Sequence, residues 1–128
     1  MTVAVVASTS PEGREALNRG AAEAALRNEP LVVLAVVDSD SITQSHRETA
    51  QAESREVLGE KEFQLQVEPD GGDAAGAIVD LVADVGADLV VIGSRRRSAV
   101  GKFLTGSTVQ RVLLDSPVPV LVVKAAER

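Results

Sequence analysis

The sequence contains no cysteine, tryptophan or tyrosine, and its 128 residues include two phenylalanines and one methionine. Without cysteine, the chain cannot form disulfides, carry out thiol chemistry or hold a metal through thiolates. Because aromatic residues make up 2% of the chain, Val, Leu, Ile and Ala must fill the core. Small aliphatic side chains of this kind favour helices packed closely on a sheet.

Long hydrophobic runs are also lacking. No apolar run reaches the roughly 18 residues of a membrane span, and the N-terminus does not have the pattern of a secretory leader. We therefore expect a cytoplasmic protein with no membrane partner. The length predicts one domain, which would span residues 1–128.

Basic residues are in the minority, since the net charge is -6. This charge disfavours general binding to nucleic acid, and we expect no such partner. The local exception is Arg95-Arg96-Arg97, with Lys102 nearby. Three interpretations are open: these side chains clamp a phosphate, bind an acidic partner, or form a solvated loop.

Apolar runs predict the strands of the fold. Two continuous runs, at Val3–Ala7 and Leu31–Val37, and a third at Leu89–Ile92 are typical of strands buried on both faces. Phe63–Val67 alternates between apolar and polar residues, which indicates a strand near a sheet edge. Val118–Val123 supplies the fifth strand.

Helical patterns separate these strands. Ser10 is a good N-cap before Pro11, and that helix should run to about Asn28. A second helix is predicted over Arg47–Glu60, and Asp73 should cap a third that ends before Gly86. The order β-α-β-α-β-α-β-α-β predicts an open five-stranded parallel sheet with helices on both faces, a Rossmann-like α/β fold.

Ligands of such folds bind beyond the carboxyl ends of the strands. At the first strand end, Ser8-Thr9-Ser10 either bind a ligand or cap the helix that follows. Further along, a strand ends at Gly93, and Gly106-Ser107-Thr108 opens a short helix. Together these two glycine positions can form a lining of backbone N–H groups, which suits an anion such as phosphate.

Several catalytic and binding motifs are excluded. A P-loop would need glycine at Arg96 and a hydroxyl residue at Phe103, and the first strand is not followed by a dinucleotide fingerprint. No nucleophile–base pair is identifiable, and His46, the one histidine, is expected to be a solvated surface residue. The sequence therefore gives no support for an enzyme beyond very slow ATP hydrolysis, for which no base is apparent.

Nearly the whole chain resembles the universal stress protein family. The resemblance rests on the run GADLVVIGS at 86–94, on Gly106-Ser107, and on the helix at 111–113 that leads into PVPVLVV. Nucleotide-binding members of that family carry G-x2-G-x9-G-[ST], and Gly93 matches the first position while Gly106-Ser107 match the last. The resemblance implies a fold of the adenine nucleotide alpha hydrolase type and a nucleotide site made of these residues: Ala7, Ser8, Val36, Ile92, Gly93, Arg96, Gly106, Ser107 and Thr108.

Two positions depart from the family pattern. Arg96 stands where the second glycine is expected, and it could either obstruct the phosphates or bind them through its guanidinium. Ser8 stands where an aspartate normally ends the first strand near the adenosine. The resemblance implies a stress-response regulatory module that binds ATP or another adenine nucleotide, with Mg²⁺ as a possible companion. The alternative is a nucleotide-independent interaction protein whose motif is structural only.

Family members commonly form homodimers through the last strand. The resemblance implies the same for Val118–Val123 here, in addition to protein partners that the sequence does not identify. An apolar edge strand of this kind is a liability when it is left uncovered, and pairing with a second copy about a two-fold axis would cover it.

Overall fold

A computed structural model describes residues 1–94 and 106–125 as one sheet with helices on its two faces. The strands are β1 Thr2–Val6, β2 Leu31–Val37, β3 Gln64–Pro69, β4 Ala87–Ser94 and β5 Val120–Lys124. The helices are α1 Pro11–Arg27, α2 Gln44–Leu58, α3 Ala74–Asp84 and α4 Ser107–Asp115. Every predicted strand and helix is therefore present, in the predicted order.

The strand order is β3-β2-β1-β4-β5, and all four pairings are parallel. The prediction of a five-stranded parallel sheet is confirmed. β3 lies at one edge, as its alternating pattern indicated, and β5 lies at the other. β1 and β4, which are distant in sequence, are neighbours at the centre.

Each face of the sheet has its own aliphatic core. On one face, the buried residues of α1 and Leu58 of α2 pack against Val3, Val5 and Val33. On the other face, α3 and α4 pack against Leu34, Val90 and other strand residues. β5 contributes to both, because Val120 and Val122 face one core while Leu121 and Val123 face the other. The apolar character of both faces of β5 is thus explained by the monomer fold.

Helix α1 begins and ends as its sequence predicts. The Ser10 hydroxyl accepts a hydrogen bond from Gly13 N at 3.1 Å, and Pro11 occupies the first turn. Asn28 ends the helix in the left-handed conformation, with φ of 57°. Small residues let the helix lie close to the sheet, since a Cβ on Gly20 would lie 3.1 Å from Val5 Cβ.

Helix α2 differs from its prediction in where it begins. It starts at Gln44 rather than Arg47, because Thr43 and His46 form a capping box. Thr43 N donates to His46 Nδ1 at 3.0 Å, and His46 N donates to the Thr43 hydroxyl at 3.2 Å. His46, expected to be a solvated surface residue, is partly exposed, and its ring also caps the helix.

Strand boundaries shift by small amounts. β1 starts and ends one position earlier than expected, and β3 continues to Pro69, which is paired in register with Val37. β4 extends in both directions, from Ala87 to Ser94. Within residues 1–94 and 106–125, no helix has the length and apolar character needed to cross a bilayer.

Candidate functional site

The strand order places a crevice at the carboxyl ends of β1 and β4. β1 leads through α1 to β2 on one side, whereas β4 on its other side follows β3 and α3, so the direction of strand addition reverses at β1. Such a switch point is where open α/β sheets bind ligands. Ala7 and Ser8 leave β1 here, and Ile92 and Gly93 lie near the end of β4. The fold therefore brings these four predicted site residues to one edge of the sheet, beside Val36 of β2.

Ser8 takes part in the start of α1. Its Oγ lies 3.0 Å from Ser10 Oγ and accepts a hydrogen bond from Ser10 N at 3.3 Å. Gly13 approaches closely as well, since a Cβ on that residue would lie 2.6 Å from the Ser8 carbonyl oxygen. The capping interpretation of Ser10 is confirmed. The Ser8 hydroxyl, two residues earlier, is hydrogen-bonded to this N-cap residue.

Gly93 is needed for helix packing. A Cβ at this position would lie 2.6 Å from the carbonyl carbon of Glu12 and 3.0 Å from Gly13 N. These atoms belong to the backbone of α1, so they cannot move aside without displacing the helix. The glycine at the end of β4 therefore lets the first turn of α1 lie directly on the strand.

Gly106 has a different environment. It is the N-cap of α4, with φ of -75° and ψ of 169°, and no side-chain hydrogen bond caps this helix among the described residues. No described residue lies within 4 Å of where a Cβ on Gly106 would be. Neither the backbone conformation nor contact with the described residues therefore requires glycine here. Gly106 and Ser107 are exposed, and the first-turn N–H groups of α4 point away from the helix body.

An ion pair connects α4 to the start of α3. Arg111 Nη1 lies 2.8 Å from Asp73 Oδ1, and Asp73 also accepts a hydrogen bond from Gly76 N at 3.1 Å as the N-cap of α3. The Gly76 hydrogen bond first, and then Arg111, hold the pKa of Asp73 below its ordinary value. The same pairing raises the pKa of Arg111. This contact joins the second turn of α4 to the start of α3.

The basic loop lies outside the described residues. Arg95, Arg96, Arg97 and Lys102 all fall in the range 95–105, so the three interpretations of the loop stay predictions. Among the described residues, no group of three or more His, Asp or Glu side chains is placed to hold a metal ion.

A cavity of about 240 Å³ opens between α1, α2 and the ends of β1 and β2. Three predicted site residues line it: Ala7, Ser8 and Val36. Sequence reasoning did not predict this cavity. Its one signal was the weak stripe of small residues on α2, Ala50 and Ser54, which leave room where larger side chains would have filled the space.

These features define a single-sheet, Rossmann-like α/β fold with a candidate site at the switch between β1 and β4. The model of the universal stress protein family matches residues 1–124. A universal stress protein of Mycolicibacterium smegmatis is 35% identical over 122 residues, covering 91% of this chain and 92% of that protein. The chain therefore belongs to the universal stress protein family.

Solved structures agree on the fold. A universal stress protein from Archaeoglobus fulgidus matches with a TM-score of 0.77 at 26% identity, covering 97% of this chain and 98% of that one. A universal stress protein from the same organism, in complex with dAMP, matches with a TM-score of 0.71 at 22% identity, covering 97% and 98% of the two chains.

Proposed function

We propose that this protein is a cytoplasmic regulatory module that binds an adenine nucleotide and acts as a homodimer. The observation that carries the proposal is the N-terminus of α4, which begins at Gly106, a glycine that neither φ nor contact with the described residues requires. Membership of the family supports it, as does the dAMP complex of a structural relative.

The proposed site divides into a phosphate end and a base end. N–H groups and hydroxyls of Ser107 and Thr108 would donate to phosphate oxygens, which the positive end of α4 favours. The guanidinium of Arg96 would neutralise phosphate charge, with Mg²⁺ accompanying ATP when that is the ligand. The base end is apolar and consists of Ala7, Val36 and Ile92.

Calorimetry and thermal shift with ATP, ADP, AMP and cyclic AMP test the proposal. Ser107→Ala removes a hydroxyl donor and should weaken binding by about threefold to tenfold. Ser45→Ala, an exposed change in the first turn of α2, is the matched control and should bind like the wild type. Absence of both heat and thermal shift with every nucleotide at millimolar concentration would overturn the proposal.

Arg96 substitutions separate its two possible effects. If its guanidinium holds the phosphates, Arg96→Ala weakens binding and Arg96→Gly weakens it similarly. If the side chain obstructs the phosphates, Arg96→Gly binds more tightly than the wild type. Both outcomes are read from the same titrations with ATP and AMP.

The proposed dimer uses the exposed edge of β5. Val90 N donates to Pro119 O at 3.1 Å, so in the parallel ladder the N–H and C=O of Leu121 face β4. Those of Val120 and Val122 consequently face outwards. A second copy could pair with them about a two-fold axis.

A second candidate function is a nucleotide-independent interaction protein. The observation that favours it is Ser8, which replaces the expected aspartate and whose Oγ is already hydrogen-bonded to Ser10. A native mass spectrum of the purified protein distinguishes the two candidates. A co-purified adenine nucleotide in the spectrum favours the first candidate. If the protein shows no bound nucleotide even after nucleotide is added to saturation, the second candidate is favoured.

A further inference from the structure

β3 is an edge strand whose outer side is open. Among the described residues, its one strand neighbour is β2. Asp70 N, just beyond the strand, donates to Val37 O at 2.8 Å. Because the direction of backbone groups alternates along a parallel ladder, the N–H and C=O of Leu65 and Val67 face away from β2. Pro69 has the same outward orientation but no N–H, as is usual for proline in an edge strand. The outward groups are therefore available to a further strand.

Helix α2 extends over this open edge. Its inner side packs on the sheet through Ala50, which is buried with Ala35 and Val67. A second side of the helix, with residues spaced three and four apart, forms an open groove of about 500 Å³ with Leu65 of β3. A helix about 10 Å wide covers two strands that lie about 4.8 Å apart, so the overhang leaves room for one strand beside β3. The helix residues of this groove are Gln44, Arg47, Glu48, Gln51, Ala52 and Arg55.

The part of the chain that contains this edge is acidic. From residue 62 to residue 94, which includes β3, α3 and β4, the sequence contains no Lys or Arg, although the whole chain has 13 of them. β3 and the residues beside it contribute Glu62, Glu68 and Asp70, and α3 contributes Asp80 and Asp84. A partner that docks at β3 should therefore carry positive charge, because opposite charges attract across neighbouring strands.

The same charges disfavour a second copy of this chain as the partner. Pairing of two β3 strands would bring Glu62, Glu68 and Asp70 of one copy close to the same residues of the other. Like charges on paired strands are destabilising, and β3 has no basic residue to offset them.

The side chains of β3 indicate what pattern a partner strand should have. Leu65 and Val67 face α2, and Leu65 lines the groove. Gln66 and Glu68 are exposed on the opposite face of the strand. Since a neighbouring strand alternates in the same way, a segment that fits has apolar side chains under α2 and basic side chains beside Glu68.

We propose that the open edge of β3 binds an extended segment of a partner protein in which apolar and basic residues alternate. The segment adds a sixth strand to the sheet, held by backbone hydrogen bonds to Leu65 and Val67. This surface lies at the opposite edge of the sheet from β5 and uses none of the residues of the proposed nucleotide site. Its test is therefore independent of the proposed function.

The probe is an acetylated and amidated peptide of about seven residues in which valine and lysine alternate. Amide hydrogen exchange, measured by NMR on the full chain, should slow by about tenfold or more at Leu65 and Val67 when the peptide is saturating. The amides of Val120 and Val122, which face outwards from β5, should exchange as they do without the peptide. A matched peptide with glutamate in place of lysine should leave the exchange at Leu65 and Val67 unchanged.

Charge reversal tests the electrostatic part of the proposal. Glu68→Lys should weaken binding of the valine–lysine peptide by about threefold to tenfold, because it places a like charge beside the bound lysines. Glu15→Lys, exposed on α1, makes the same change in net charge far from β3 and should weaken binding by less than about twofold.

Three results would overturn the proposal. The first is that the valine–lysine peptide leaves Leu65 and Val67 unprotected or protects Val120 and Val122 instead. The second is that the glutamate peptide protects Leu65 and Val67 equally well. The third is that these two amides become protected without peptide as the protein concentration rises, since the partner at this edge would then be a second copy.

Discussion

Arg111 on α4 lies 2.8 Å from Asp73, the N-cap of α3, so one ion pair joins the two helices on the same face of the sheet. Both side chains are about half exposed. Their pairing connects the N-terminus of α3 to α4, whose first turn carries Ser107 and Thr108. The ion pair therefore connects the N-cap of α3 to the helix that carries the proposed phosphate-binding residues.

This ion pair predicts a dependence of stability on pH. The pKa of Asp73 is lower in the folded protein than in the unfolded chain, so its contribution is present above the unfolded pKa and is lost as pH falls through the folded pKa. Asp73→Asn keeps an N-cap oxygen but has no charge. The wild type should melt above this variant near pH 7, and the difference should shrink as pH falls below the ordinary pKa of an aspartate.

Asp80→Asn, an exposed change on α3, is the control for this experiment. The difference in melting temperature between Asp80→Asn and the wild type should stay constant over the same pH range. A difference between Asp73→Asn and the wild type that is constant from neutral to acidic pH would show that the charge of Asp73 contributes nothing.

A second prediction concerns Arg55, which holds the turn after α2. Its Nη1 donates to Gly59 O at 2.6 Å and to Lys61 O at 2.8 Å, and its guanidinium lies 4.4 Å from the Phe63 ring centroid. Arg55→Ala should lower the free energy of unfolding by about 1–2 kcal/mol in chemical denaturation. Arg47→Ala, exposed on the same helix, should change it by less than about 0.5 kcal/mol. Equal losses in the two variants would contradict the role of Arg55.

The third prediction separates the two glycines of the candidate site. Gly93→Ala should destabilise the protein by about 1–3 kcal/mol, because the new Cβ meets the backbone of α1 at Glu12. Gly106→Ser should be neutral or slightly stabilising, since no described residue lies within 4 Å of its Cβ position and serine is a better N-cap. Denaturant titration of both variants measures the contrast, and a neutral Gly93→Ala would contradict the packing role.

The fourth prediction addresses the proposed homodimer. Val122→Pro removes an N–H that faces outwards from β5 and leaves the ladder to β4 intact, a position where proline is tolerated. Sedimentation analysis should show a dimer for the wild type and a monomer for this variant. Val122→Thr keeps the N–H and the shape of the side chain, and it should remain dimeric. A wild-type monomer at high micromolar concentration would refute the proposed interface.

Much of the fold could be predicted from the sequence because strands buried on both faces are continuous apolar runs. Leu31–Val37 and the run within Ala87–Ser94 are examples, and both lie in the middle of the sheet. The start of α2 could not be placed, because its capping box uses histidine at the position where Glu or Gln is the usual signal.

The candidate site was less predictable than the fold. Motif spacing placed Gly93 and Gly106 at the correct strand and helix ends, yet it gave no indication that Gly93 lies against Glu12. The α1–α2 cavity depends on where two helices distant in sequence meet. Small residues such as Ser54 indicate available space only after that packing is known.

Gly93 is required by packing and Gly106 is not, and this difference affects how the family motif should be interpreted in divergent sequences. A lineage that abandons the ligand should still retain Gly93, because a side chain there would press against the backbone of α1 at Glu12. Under the proposed function, loss of the nucleotide would leave Gly106 free to change, since no described residue lies within 4 Å of its Cβ position. In surveys of divergent sequences, the later glycine of the motif should therefore be the diagnostic marker of retained function, and the earlier one a marker of ancestry alone.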